Sequence, residues 1–135
     1  MTSLILPFDE KTAFDLLNGQ IEILPFIRNF KRHIDTISIS IHTPIGMILI
    51  GTVDVNYKSF VPVRRAYTII SKTQKIDSIE YWNKYRDHKK ICIFSVNHPC
   101  VFLNPIPAKK LLTDTSVSSG VYYEGELPPR IEVIS

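Results

Sequence analysis

Apolar and polar residues alternate most cleanly over Ile37-Ser38-Ile39-Ser40-Ile41, the period of a strand with one buried face. Two longer apolar runs have strand length rather than helix length. Met47 to Val55 follows the turn His42-Thr43-Pro44-Ile45-Gly46, and Gly51 inside it marks a bulge or a close approach of backbones. Ile91 to Val96 and Pro99 to Leu103 read as further strands or extended segments, ended by Asn104-Pro105-Ile106-Pro107. Leu4 to Phe8, Ile21 to Leu24 and Tyr67 to Ile70 are shorter strand candidates. Helical spacing occurs twice. Asp9 caps a helix carrying Ala13, Phe14, Leu16 and Leu17, and Asn18-Gly19 ends it. Asp77 caps a second helix to about Arg86, with Ile79, Trp82 and Tyr85 at three-residue intervals. Core packing is the simplest use for those aromatics. An aromatic wall for a base, with Arg86 and His88 at its rim, is the alternative. Ala108 to Leu112 reads as one helical turn, 113–120 as a Ser/Thr/Asp-rich loop, and Tyr122-Tyr123 with Arg130 to Ile134 as a terminal hairpin or tail.

Short strands that do not alternate with crossover helices argue against a doubly wound parallel sheet. They predict an α+β, mainly β fold: a small antiparallel β-barrel with two or three short helices set against it. The length of 135 residues fits one domain, divided as a body over 1–112 and an acidic loop and tail over 113–135 packed on the same body. Cys92 and Cys100 are the only cysteines and sit in apolar surroundings, so buried small side chains are expected, with no metal site and no cofactor. The N-terminus lacks a basic region before its apolar run, and no run reaches membrane-spanning length. A cytoplasmic protein without a membrane partner is the expectation.

The order of elements resembles the ASCH domain of the PUA-like superfamily. Three stretches carry the resemblance. Leu4-Ile5-Leu6-Pro7-Phe8 with Ala13-Phe14-Asp15-Leu16-Leu17-Asn18-Gly19 looks like the opening strand and helix. Residues 39–53 are similar to the paired strands that turn at a small polar residue and a proline. Ile93-Phe94-Ser95-Val96 with Val101 to Pro107 looks like the late strand and its Pro-Ile-Pro ending. The resemblance implies a PUA-like barrel and a nucleic acid or modified nucleoside as ligand, RNA ahead of DNA. The family's signature after the first helix is glycine, basic and threonine residues, then an acidic residue and arginine. Here Gly19, Glu22 and Arg28 remain, and the lysine and threonine are absent. The amidohydrolase activity that uses those two residues is therefore not carried over, and the reading leans away from an enzyme.

Charge distribution points the same way. Residues 28–75 hold eight Lys/Arg against two Asp, a net +6, whereas 113–135 carry a net −3. A basic middle suits a polyanion. Arg28, Lys31 and Arg32 crowd around Phe30, cations for phosphate beside an aromatic that can stack on a base. Arg64, Arg65 and Tyr67 follow Pro62 in an expected extended loop, and His42 with Thr43 occupies a strand-to-turn junction where small polar groups can read a base edge. Two rival readings stand beside the binder. One is a small hydrolase acting on a modified nucleoside, with Glu22 and His33 or His42 as an acid–base pair. The other is an interaction module or homodimer, in which the acidic tail pairs with the basic middle.

Overall fold

A computed structural model describes residues 1–112 and 120–133. The elements are β1 (Thr2–Pro7), α1 (Glu10–Leu17), β2 (Ile23–Phe26), β3 (Thr36–Thr43), β4 (Gly46–Pro62), α2 (Val63–Thr73), α3 (Ser78–Tyr85), β5 (Lys90–Pro107), a 3₁₀ turn (Ala108–Lys110), β6 (Val121–Glu124) and β7 (Arg130–Glu132). The mainly β, α+β character is as expected. The sheet itself differs from the antiparallel barrel. Its order is β2-β5-β4-β3-β1-β6, with β7 pairing β5, and it is not closed. β1 runs parallel to β3, with Leu4 opposite Ile37 and Leu6 opposite Ile39. The mixture arises because α1 and β2 intervene between β1 and β3 and return the chain in the same direction.

The two long strands make the frame. The pieces read separately as 91–96 and 99–103 join into the 18-residue β5, and the run from Met47 continues through polar positions to make the 17-residue β4. Bulges at Leu49/Gly51, Thr52/Asp54 and Val55/Tyr57 bend this ribbon. β3 covers β4 only as far as the pairing of Thr36 with Asp54. Among the described residues no strand pairs with the outer edge of β4 beyond that point.

One sheet face packs on α1. Asp9 accepts the Thr12 N–H (3.3 Å) as N-cap, and Ala13, Leu16 and Leu17 are buried against Leu24, Ile37, Val53 and Phe94. Phe26, Phe30 and Phe94 meet in this core with centroids 5.5–5.7 Å apart. Such aromatic pairs add about 0.5–1.5 kcal/mol each beyond area burial. α2 and α3 cover Ile23, Ile91 and Ile93 at one end of the sheet, on its other face.

Tyr67 to Ile70, expected as a strand, lies in α2. The β-branched pair Ile69-Ile70 suggests a strand in isolation, but Val63, Ala66 and Ile70 recur at helical spacing and are the buried positions. In α3 the buried pair is Tyr81 and Tyr85, four apart, and Ile79 is 73% exposed. Of the expected face, Tyr85 stays in the core with Trp82 packed against it, and Ile79 turns out to solvent. Among the described residues the tail makes no hairpin: β6 pairs β1 and β7 pairs β5, on opposite sides of the sheet order, and Ile134 lies outside the described residues. Asp114 and the rest of 113–119 lie outside the described residues.

Gly51 is a close-approach point. A Cβ there would lie 2.4 Å from the Cys100 carbonyl oxygen and 2.6 Å from Leu17 Cδ2. Backbone cannot yield as a flexible side chain does. Gly51→Ala is expected to destabilise the protein by about 1–3 kcal/mol in urea unfolding. A midpoint unchanged from the parent would show that β4 and β5 separate there at little cost.

Candidate functional site

The structure divides the residues that the sequence groups together. Phe30 is 2% exposed, and its ring is taken up by Phe26, Phe94 and the Arg28 guanidinium, which lies 4.7 Å above the centroid. It has no face to offer a base. Arg32 turns to the tail, where it pairs with Glu124 and sits 4.9 Å over the Tyr122 ring. Lys31 is exposed, and His33 bonds Asp35 at 2.9 Å. Lys58 holds this segment down: its ammonium donates to the carbonyls of Phe30 and, at 2.7 Å, Arg32. The nearby Cys92 thiol is pushed up by burial, against smaller opposing pulls from the Phe30 backbone and the Lys58 charge. That keeps it a protonated, unreactive core side chain.

His42 and Thr43 lie at the far end of the β4–β5 ribbon. Thr43 donates to the Gly46 carbonyl (2.7 Å) and accepts the Ile45 N–H (3.3 Å), closing the hairpin. His42 borders two hollows, one of about 310 Å³ against Phe8 and Asp9 and one of about 260 Å³ against Met47 and Lys109. Glu22 is exposed at the start of β2, where its N–H is held by the Gln74 side chain at 3.1 Å. Among the described residues no hydrogen bond or ion pair joins Glu22 to His33 or His42, and no group of three or more His, Cys, Asp or Glu is placed to hold a metal.

Arg64 and Arg65 occupy the first turn of α2, not an extended loop. Consecutive helical residues diverge by about 100°, so both point outward on neighbouring faces. This turn has no acidic residue and no side-chain cap, and cations here oppose the positive end of the helix dipole. The Val63 N–H donates to the Lys89 carbonyl (3.2 Å), which sets the turn beside Lys89-Lys90.

Strand register adds the remaining members. Phe26, Cys92 and Phe60 are cross-strand neighbours, and Lys90 lies opposite Pro62 in the next row of the same face. The Lys90 ammonium stands 5.9 Å from the centroid of Phe60, which is 42% exposed. Arg28 follows two residues after Phe26. This end of the sheet thus carries Lys90 beside the exposed Phe60 ring on one face, Arg28 over Phe30 after β2, and Arg64 and Arg65 on α2 at the other face, next to Lys89. Sequence reasoning missed Phe60, Lys89 and Lys90. The alternation Tyr57-Lys58-Ser59-Phe60 and the cluster Arg86-Asp87-His88-Lys89-Lys90 were the available signals, but only pairing reveals that they meet.

The opposite sign gathers further back along the ribbon. Asp35, Asp54 and His98 border an open hollow of about 580 Å³, and His98 Nδ1 lies 3.4 Å from Asp54. The Asp35 carboxyl is held below its ordinary range, first by the Thr2 N–H and then by His33.

Tyr67 belongs to the support of the rim. It stacks on Trp82 (5.7 Å, 26°) and meets Tyr81 edge-on. Tyr81 donates its hydroxyl to the Val63 carbonyl at 2.8 Å, tying α3 to the first turn of α2.

No family model and no curated protein matches the sequence. Solved structures do match the fold. The ASCH protein of Zymomonas mobilis superposes with a TM-score of 0.70 at 13% identity, covering 90% of this chain and 87% of that one. Two point mutants, a serine-to-alanine and a tyrosine-to-phenylalanine form of ZmASCH, give TM-scores of 0.66 and 0.65 at 14% identity. Each covers 81% of this chain, and 76% and 78% of its own. The fold is therefore that of an ASCH domain, in agreement with the resemblance read from the sequence. Among the described residues no helix is long and apolar enough to cross a membrane.

The Tyr81 tie has a pH signature. Burial pushes its phenol from 10.0 up to about 12. A pKa raised in the folded state contributes stability that is full below the unfolded value and lost as pH rises through the folded one. Stability should fall between pH 10 and 12, and Tyr81→Phe should flatten that fall while costing about 1 kcal/mol at neutral pH. Chemical unfolding across this range checks it. An equally steep alkaline fall in the variant would remove Tyr81 as the cause.

Proposed function

We propose that the chain is a non-catalytic nucleic-acid binder, with RNA ahead of DNA, and that its contact surface is the basic rim at the Phe60 end of the sheet. The observation that carries this reading is that Arg28, Arg64, Arg65, Lys89 and Lys90 all lie at one end of the sheet, where Lys90 stands beside the exposed ring of Phe60. Guanidinium and ammonium groups suit backbone phosphates, and an exposed aromatic suits an unstacked base. RNA loops present such bases, which favours RNA over a continuous duplex. Two features support it. Arg64 and Arg65 sit where the helix dipole disfavours cations, a local cost of the kind found at functional sites. Asp54 stands near the middle of β4, well before Arg64 and Arg65 in the first turn of α2, and pairs with His98.

Of the sequence candidates, Arg28, Arg64 and Arg65 remain in this interface. Phe60 takes the stacking role first considered for Phe30. Lys31 and Arg32 belong to a flanking segment, and His42, Thr43 and Glu22 lie away from the rim. We assign residues 113–135 to the same domain as 1–112, because β6 pairs β1 and β7 pairs β5. A cytoplasmic location accompanies the reading.

Fluorescence anisotropy with labelled single-stranded RNA, single-stranded DNA and an RNA duplex at several salt concentrations tests it. Affinity for the single strand should fall with salt, with a log–log slope of about 0.7 per phosphate contact. Arg64→Ala and Arg65→Ala should each lower that slope by about 1 or less, and Phe60→Ala should weaken single-strand binding by roughly 1–3 kcal/mol. Lys109→Ala, beside the distant hairpin, should change neither. No binding of any of the three at low salt would overturn the proposal.

A further inference from the structure

We infer that the outer edge of β4 from Tyr57 to Val61 pairs antiparallel with the same edge of a second copy of this chain. β3 leaves β4 at Asp54, and the Val55 N–H is taken by the Asp35 carbonyl at 3.0 Å. Beyond it, among the described residues, no backbone hydrogen bond reaches the outer side of Tyr57–Val61 from another segment. An open edge of this length is a template for another strand. It is also apolar at two places, since Tyr57 is 45% and Phe60 42% exposed.

The charge along β4 selects the occupant. The strand starts beside carboxylates, Asp54 and Asp35, and ends at cations, Lys90, Arg64 and Arg65. Antiparallel pairing centred on Ser59 sets each copy's acidic start against the other's basic finish. Tyr57 then faces the partner's Val61, Lys58 faces the partner's Phe60, and Asp54 approaches the partner's Arg64. No like charges stand directly opposite, and the Lys58 stem, whose ammonium stays on the Phe30 and Arg32 carbonyls, lies beside the partner's Phe60 ring. A parallel arrangement would bring the two basic ends together. The pairing is isologous, so it closes as a dimer and does not propagate. Its test needs no nucleic acid, although Phe60 and Arg64 are shared with the proposed nucleic-acid surface.

Sedimentation equilibrium of the full chain over a range of concentrations and salt tests it. A monomer–dimer equilibrium is expected, weakening as salt rises. Phe60→Lys puts a lysine opposite the partner's Lys58 and should weaken the dimer by about tenfold. Asp54→Arg sets an arginine against the partner's Arg64 and should do the same. The combined exchange Asp54→Arg with Arg64→Asp should restore the dimer, which a variant that merely unfolds would not do. A wild-type chain that stays monomeric throughout overturns the inference. So does a dimer indifferent to both single substitutions, which would use another face. A monomer whose edge instead captures an acidic poly-glutamate peptide would give the strand a foreign occupant and likewise overturn the second-copy assignment.

Discussion

The antiparallel pairing of β4 with β5 places every other element of this fold. The two strands run together from the Ile48–Pro107 pair to the Pro62–Lys90 pair, and three bulges bend them on the way. The bends let one ribbon serve both cores: its middle covers α1, while its end receives α2 and α3. Gly51 allows β5 to come within a distance no side chain tolerates. Because β4 continues past the end of β3, its outer edge runs on with no strand beside it among the described residues, while β5 and β2 flank its inner side. The basic rim and the open edge are two consequences of that one overhang.

Lys58 is the group that reconciles the overhang with the segment after β2. That segment is rich in cations and would be expected to stay in solvent. Instead the Lys58 ammonium gathers the Phe30 and Arg32 carbonyls, and Phe30 enters the aromatic core. Hydrogen bonds to a charged donor contribute about 1.5–3 kcal/mol, enough to order a short loop in part. With the loop fixed, Arg28 and Arg32 are separated. Arg28 remains over the Phe30 ring at the basic end, while Arg32 goes to Glu124 on β6. Among the described residues, the basic middle and the acidic tail meet in the Arg32–Glu124 pair, within one chain. An exposed pair of this kind contributes at most about 1 kcal/mol.

Local signals in the sequence were reliable where one residue decides the outcome. The caps at Asp9 and Asp77 and the role of Gly51 follow from single side chains or their absence, and the strand over 37–41 forms as its alternation predicts, though its Ser38 and Ser40 face is buried as well rather than exposed. The same pattern reading misplaced 67–70, because a β-branched pair looks like a strand until the buried spacing of Val63, Ala66 and Ile70 is known. Parallel pairing of β1 with β3 was not legible either, since nothing local distinguishes a returning strand from a hairpin partner. The candidate site suffered most. Arg64 and Arg65 stand out by charge alone, whereas the cations around Phe30 suggest a stacking ring that the structure buries. Its burial depends on Phe26 and Phe94, which come from strands far apart in the chain. Phe60 and Lys90 become neighbours only through the register of β4 on β5.

The rim must be held against its own repulsion. Arg64 and Arg65 oppose the dipole of α2, each at a cost of about 0.3–1 kcal/mol, and Lys89 and Lys90 add to the positive potential. Tyr81 offsets this by fastening the Val63 carbonyl, and the Val63 N–H is bound in turn by Lys89. Both links act on the backbone of the first turn, so they fix the direction of the arginines without neutralising them. The aromatic stack of Tyr67 on Trp82 backs the same turn from below. A turn anchored through its backbone leaves the charges available to an outside anion. The outside anion can be a phosphate chain or the carboxylates of a second ribbon, and because Arg64 serves both, the two must compete for it.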